Sequence, residues 1–130
     1  MALEVHLVTP ERELWSGDAD MVIARGVEGE VGILPGHAPL LIRLQISRLS
    51  IRVGDRDIAA VVDGGFLHVT SDGDATRVDI LASFAELASE IDATLAERRL
   101  EEARGRVAER RDQQAEIELR KALVRVDATR

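Results

Sequence analysis

The hydrophobic pattern of this 130-residue chain changes period once, near Phe84, and that change limits the fold more than any other feature. Upstream the period is two. Leu3, Val5 and Leu7 alternate with Glu4 and His6; Leu49, Ile51 and Val53 alternate with Arg48, Ser50 and Arg52; Val78, Ile80 and Ala82 alternate with Arg77 and Asp79. Ile58-Ala59-Ala60-Val61-Val62 is a continuous apolar run, as in a strand buried on both faces. Downstream the period is helical. Ala93, Ala96, Leu100, Ala103 and Val107 step by 3, 4, 3 and 4, with Leu87, Ile91 and Leu95 on a second face, and Ala115, Leu119, Ala122 and Val126 step by 4, 3 and 4. Strands followed by helices predict an α+β fold with segregated parts, residues 1–84 and 85–130.

Glycine and proline usage agrees with this division. Nine of ten glycines and all three prolines precede Phe84. Turn signals separate the strand runs at Thr9-Pro10-Glu11, Ser16-Gly17-Asp18, Gly54-Asp55, Asp63-Gly64-Gly65 and Ser71-Asp72-Gly73-Asp74. Leu40, Ile42, Leu44 and Ile46 share one parity while Leu49, Ile51 and Val53 share the other, so a turn or bulge near Ser47 must exchange the faces. Eight to ten short strands at this spacing predict a two-sheet sandwich or barrel. In the second part, Ser89-Glu90-Ile91-Asp92 reads as a capping box at a helix start, and Glu109-Arg110-Arg111-Asp112 as the reversal of an antiparallel helical hairpin. Its alanine-rich seam buries little area per residue, which predicts a hairpin held only weakly to itself and to the sandwich.

Composition excludes several functions. The net charge of −7 opposes general binding to a phosphate backbone, and three aromatic residues (Trp15, Phe66, Phe84) provide no stacking platform, so nucleic acid is not an expected partner. The absence of cysteine removes thiolate metal sites and cysteine nucleophiles. No apolar run approaches the roughly 18 residues of a membrane span, and the first residues lack the pattern of a signal peptide, which predicts a soluble, cytoplasmic chain without direct membrane insertion.

Sites of chemistry are sparse. His6, His37 and His68 show no metal-ligand spacing, and no G-x-S-x-G is present, so neither a metal site nor a catalytic residue is expected. Gly26-Val27-Glu28-Gly29-Glu30-Val31-Gly32 lacks the Lys-Ser/Thr of a phosphate loop and reads as an acidic surface loop. Between Arg98 and Arg125, nine basic residues face six acidic ones. That segment reads either as a solvated helix surface laced by pairs such as Glu97 and Glu101 with Arg104, or as a docking surface for an acidic partner or a nucleotide's phosphates.

Three segments carry a family resemblance. They are Val8-Thr9-Pro10-Glu11-Arg12-Glu13 followed by Ser16-Gly17-Asp18-Ala19, then Gly29-Glu30-Val31-Gly32-Ile33-Leu34-Pro35-Gly36-His37-Ala38-Pro39-Leu40, and Asp63-Gly64-Gly65-Phe66-Leu67-His68-Val69. With the charged, alanine-rich helical hairpin that follows, the order resembles the epsilon subunit of bacterial F-type ATP synthase, whose mitochondrial counterpart is called delta. The resemblance implies a ten-stranded β-sandwich and a mobile two-helix domain in the central stalk, without a catalytic group. It implies the gamma subunit and the c-subunit ring as partners, a role in coupling proton flow to ATP synthesis, and inhibition of ATP hydrolysis when the helices extend toward the alpha and beta subunits. It places the chain peripherally at the cytoplasmic face of the membrane.

Carried over residue by residue, the resemblance puts Thr9 and His37 near gamma and Glu30 toward the c ring. Arg120, Lys121 and Arg125 match the region that meets acidic segments of the catalytic subunits. Ile91-Asp92-Ala93-Thr94-Leu95-Ala96 aligns with the ATP-binding motif Ile/Leu-Asp-x-x-Arg-Ala of some members, with Leu95 in place of its arginine. Glu86, Asp92, Lys121 and Arg125 then remain as contacts for weak ATP binding at most, and no cofactor is implied. Two other readings are a stand-alone sandwich ligand-binding module with a helical interaction tail, which the scarcity of Trp and Tyr opposes, and a small jelly-roll metalloenzyme, which the scattered histidines oppose.

Overall fold

A computed structural model describes residues 2–130. Eight strands precede two helices: β1 (Leu3–Val8), β2 (Glu13–Ala19), β3 (Met21–Gly26), β4 (Gly29–Ile33), β5 (Leu40–Val53), β6 (Arg56–Asp72), β7 (Ala75–Leu81), β8 (Ala85–Leu87), α1 (Ala93–Glu109) and α2 (Gln113–Ala128). A 3-10 turn at Ala88–Glu90 connects the two parts. The strand order is β2-β1-β7-β6-β5-β3-β4, with β8 added to β6. β1 runs parallel to β7, and the other neighbours are antiparallel.

The expected count of ten strands becomes eight because β5 and β6 each cross both layers of the sandwich without ending. Residues 40–44 of β5 pair with 65–69 of β6, and residues 46–53 pair with 56–63. The ladder breaks at Gln45 and Gly64, and there the buried parity changes. Leu44 faces inward on one side of the break, while Ser47, Leu49 and Ile51 face inward on the other. The exchange of faces predicted near Ser47 is thus a bend inside one strand, and Asp63-Gly64-Gly65 is a fold-over rather than a turn. Gly64 and Gly65 have φ of +88° and +126°, which side chains other than hydrogen rarely adopt.

Two other turn readings shift. Ser16-Gly17-Asp18 lies inside β2, paired with Glu4, Val5 and His6, and the Trp15 indole rests against Gly17. The glycine-rich segment 26–32 is a β3–β4 hairpin in which Gly26 pairs Gly29 and Arg25 pairs Glu30, so only Val27 and Glu28 form the turn. The boundary also moves, because Ala85–Leu87 pairs with residues 60–62 as β8. Leu87 and Ile91 therefore precede the helix on which the period of four had placed them.

One core fills the sandwich. It joins Leu3, Val5 and Leu7 of β1 to Val22 of β3, Leu49 and Ile51 of β5, Ala60, Val62, Leu67 and Val69 of β6, and Val78 and Ile80 of β7, all at most 1% exposed. Each large aliphatic buried this completely contributes about 1.5–3 kcal/mol. Val61 is also fully buried but points the other way, toward the helices, as the doubly apolar run predicted.

The hairpin has its own small core of Ala96, Leu100, Ala103, Ala122 and Val126. Both helices start at aspartates. The Asp92 carboxylate accepts from the Leu95 amide at 3.0 Å, and that of Asp112 accepts from the Ala115 amide at 2.8 Å. The capping box expected at Ser89 is absent from that place, since Ser89 belongs to the 3-10 turn and Asp92 caps α1. The reversal falls at Arg110–Asp112 as expected. A Glu97–Arg130 pair at 3.4 Å ties the start of one helix to the end of the chain, as an antiparallel pair requires.

On the outer face, β1, β2 and β7 assemble a charged row. His6 lies 3.0 Å from Glu4 and 3.1 Å from Glu13 through its two ring nitrogens, and Arg77 bridges Glu4 and Asp79. The bond to Glu4, then that to Glu13, raises the His6 pKa above its ordinary value of 6.5, against the opposing effects of burial and of Arg77. A raised folded-state pKa means the stabilisation is full below about 6.5 and is lost as pH rises through the folded value. A titration followed by NMR is expected to place the His6 midpoint above 6.5, and Glu4→Gln to bring it down; a midpoint unmoved by Glu4→Gln contradicts this assignment.

Candidate functional site

The two parts meet where α2 lies against β5 and β6, while α1 packs chiefly on α2. Ala115, Ala122 and Val126 of the predicted stripe are buried, and so is Arg125 beside them at 8% exposure. Its guanidinium forks onto Asp63 of β6, with Nη1 donating to Oδ1 and Nη2 to Oδ2, both at 2.9 Å. Nε donates to Glu86 of β8 at 3.2 Å, and Nη1 also donates to the Lys121 carbonyl at 3.0 Å. The Phe84 ring centroid lies 5.7 Å from the guanidinium carbon, which adds a cation–π contact.

Burial is the largest influence on the Arg125 pKa and would lower it. The bonds to Asp63 and then Glu86 outweigh burial, so the guanidinium is held more firmly charged than usual. Bidentate geometry is the strongest form of such a pair. Removing one partner from a buried pair costs about 3–5 kcal/mol, because the other charge stays behind. Here the expectation from composition needs correction. The apolar seam is small, as predicted, but the hairpin is also fastened by a buried ion triad. The triad places Arg125 against the sandwich in this position, where it is not free to meet an external acid. Its signal in the sequence was an arginine set three residues after Ala122, at the edge of the apolar stripe.

Beside the triad lies a cavity of about 530 Å³ between α1, α2 and the sandwich. Glu86, Asp92, Lys121 and Arg125, named above as ATP contacts, all line it, and so does Leu95. Arg99 and Arg106, which the sequence reading counted in the basic segment 98–125 without assigning them to this site, line it from α1; their spacing of seven on one helix face is the signal that sets them together. The lining has six carboxylates (Asp63, Glu86, Glu90, Asp92, Glu102, Glu118) and four cations. Arg125 is taken up by the triad, and Lys121 stands 3.8 Å from Glu118.

The remaining candidates are dispersed. Thr9 is 7% exposed, and its hydroxyl is engaged in its own turn with Arg12; it borders a groove with Pro10, Phe66 and Leu81. His37 lies in the loop after β4, its Nδ1 2.7 Å from the Ala38 carbonyl oxygen. Glu30 is exposed on β4, 3.8 Å from Arg25. Arg120 is exposed on α2. The structure therefore gathers Glu86, Asp92, Lys121 and Arg125 into one site and leaves Thr9, His37 and Glu30 on the sandwich and its loops.

The structure thus defines a β-sandwich that carries a two-helix arm, fastened to it through the Arg125–Asp63–Glu86 ion pairs. The family described as ATP synthase, Delta/Epsilon chain, beta-sandwich domain matches residues 2–88. The ATP synthase epsilon chain of Thermobifida fusca (strain YX) is 51% identical over 104 residues, 78% of this chain and 74% of that one. The ATP synthase epsilon chain of Streptomyces avermitilis is 41% identical over 123 residues, 92% of this chain and 96% of that one. The whole structure matches a chain of the Euglena gracilis mitochondrial ATP synthase (OSCP/F1/c-ring assembly) with a TM-score of 0.82 at 27% identity, covering 99% of this chain and 82% of that chain. The chain belongs to the ATP synthase delta/epsilon chain family. Its place is that of a stalk subunit of the ATP synthase complex, not of a catalytic one.

Proposed function

We infer that this chain turns with the rotor, couples proton flow to ATP synthesis through gamma and the c ring, and restrains ATP hydrolysis with its helical hairpin. One observation carries the reading: the hairpin has a core of its own, with no member shared with the sandwich, and bears on it mainly through α2. An arm built in this way can leave as a unit, since neither core must open. The rigid sandwich then supplies the permanent contacts. Thr9 and the Pro10–Phe66–Leu81 groove, with His37, suit gamma, and the exposed Glu30 hairpin suits the polar loops of the c ring. Arg120 and Lys121 are the hairpin's cations for acidic segments of the alpha and beta subunits, joined by Arg125 once it is released. This assembly sits at the cytoplasmic face of the membrane without inserting; no described helix is long and apolar enough to cross one.

The cavity does not suit tight nucleotide binding. Its carboxylates outnumber its cations, Leu95 brings no charge, and Asp92 and Arg125 are already engaged. Affinity purification tests the partners. A tagged chain expressed in its own host is expected to retain gamma and the c ring, and a version ending at Glu90 to retain them equally. Recovery of the tagged chain without gamma contradicts the reading.

A further inference from the structure

His6 stands on the outer face of the sandwich with a carboxylate at each ring nitrogen, Glu4 at 3.0 Å from Nε2 and Glu13 at 3.1 Å from Nδ1. Ionised carboxylates only accept hydrogen bonds, and a neutral imidazole has one N–H and one lone pair. A neutral ring in this place would aim its lone pair at a negative oxygen. Only the imidazolium, with two donors, satisfies both contacts. The geometry is that of a bound proton.

The other charges facing the ring come from β7 and β2. In the parallel register Asp79 is opposite His6 and Arg77 opposite Glu4, and Arg77 donates to both Asp79 and Glu4. On the β2 side Ser16 stands opposite His6 and Asp18 opposite Glu4. The two carboxylates on the ring are therefore unequal. Arg77 holds Glu4 whether or not His6 is charged, while His6 is the only ionic partner of Glu13 among the described residues. A neutral ring keeps one bond, and Glu13 is the carboxylate that can swing away without giving up another.

Glu13 occupies a joint of the fold. Leu7 pairs with Trp15 but Val8 pairs with Glu13, so Leu14 is an extra residue in β2. This bulge turns Glu13 onto the face of His6, directly after the turn in which the Thr9 amide donates to the Arg12 carbonyl at 2.9 Å. Thr9 and Pro10 of that turn line a groove of about 420 Å³ together with Phe66 and Leu81, which are 47% and 52% exposed.

We propose that His6 is a proton-operated clasp: charged, it holds Glu13 and fixes the Thr9–Arg12 turn beside the groove; neutral, it releases Glu13 and loosens that turn. The clasp is closed below about 6.5 and opens as pH rises through the folded-state value, which the bonds to Glu4 and then Glu13 raise. Exposure sets its strength. The His6 side chain is 24% exposed and that of Glu13 49%, so opening changes the mobility of the turn several-fold, and salt weakens the clasp. Where the groove meets gamma, as read above, the clasp makes that contact depend on pH; this extension alone rests on that reading.

NMR on the full isolated chain tests the clasp, from about pH 5.5 to 9, above the ordinary carboxylate range. Both ring nitrogens of His6 are expected to carry protons at the low end. The Thr9 and Arg12 amides are expected to shift with the midpoint of the ring. Exchange of the Thr9 amide with solvent is expected to quicken several-fold through that midpoint, beyond ordinary base catalysis. Glu13→Gln shrinks this step several-fold while His6 still titrates, Glu4→Gln lowers the midpoint with the turn still following, and His6→Gln removes the step. These side chains lie on the outer face, so the amide signals of Val5 and Val78 stay in place and report an intact core. Turn amides that stay still while His6 titrates overturn the clasp, as does a step that persists in His6→Gln. Shifts without faster exchange reflect only the field of the ring, and they overturn it too. Since no partner is present in the measurement, a failed clasp leaves the capture of gamma to stand or fall separately.

Discussion

Replacing Gly65 by alanine is expected to destabilise the sandwich by about 3 kcal/mol or more. Two effects add at this position. Its φ of +126° is one that an L side chain rarely adopts. An added Cβ would also stand 2.8 Å from the Ala82 Cα and press on the Leu81 carbonyl. Those neighbours are backbone at the end of β7, and they cannot turn aside as a side chain could. The position is also where β5 and β6 pass from one layer to the other, with Gly65 opposite Leu44, so relief by local shift would disturb pairing in both layers. Gly73 supplies the comparison. It has φ +63° and open space around it, so Gly73→Ala costs about 1 kcal/mol from backbone strain alone. Urea melts of the two variants check the difference, and equal losses contradict this account of the fold-over.

The features legible in the sequence are those governed by local periodicity. Alternation located most strand runs, the doubly apolar run at 58–62 identified the strand covered on its outer side by α2, and the parity change before Leu49 was a true exchange of faces. The chain reversal at Arg110–Asp112 was legible without glycine or proline, because an aspartate can cap the next helix. Misread elements share another cause, which is that glycine signals a special backbone without saying which kind. Gly17 makes room for an indole inside a strand, Gly64 and Gly65 fold one strand across two layers, and Gly36, Gly54 and Gly73 lie at ordinary turns.

The candidate site was less legible. Glu86, Asp92, Lys121 and Arg125 were singled out together by resemblance, and the structure does bring them to one cavity. Their physical relations were not readable, because Asp63 and Arg125 lie 62 residues apart and only the docking of α2 joins them. Arginine on a helix is ordinarily exposed, and only its place three residues after Ala122, at the edge of the apolar stripe, sets Arg125 apart from Arg120 five residues earlier. Burial of Arg125 follows from its angle on α2 relative to the sheet, which is tertiary information.

The claim that matters most is that the hairpin restrains ATP hydrolysis. A truncation after Glu90 tests it most directly. The sandwich core contains no residue of the hairpin, β8 is retained, and Glu90 keeps its bond to Arg12, so the shortened chain should fold and assemble. What it loses is the arm, with Arg120, Lys121 and Arg125. ATP hydrolysis by the complex assembled with residues 1–90 is measured against that with the full chain, at equal incorporation of the subunit. The account predicts a several-fold rise; hydrolysis that stays unchanged with the truncated subunit in place contradicts it.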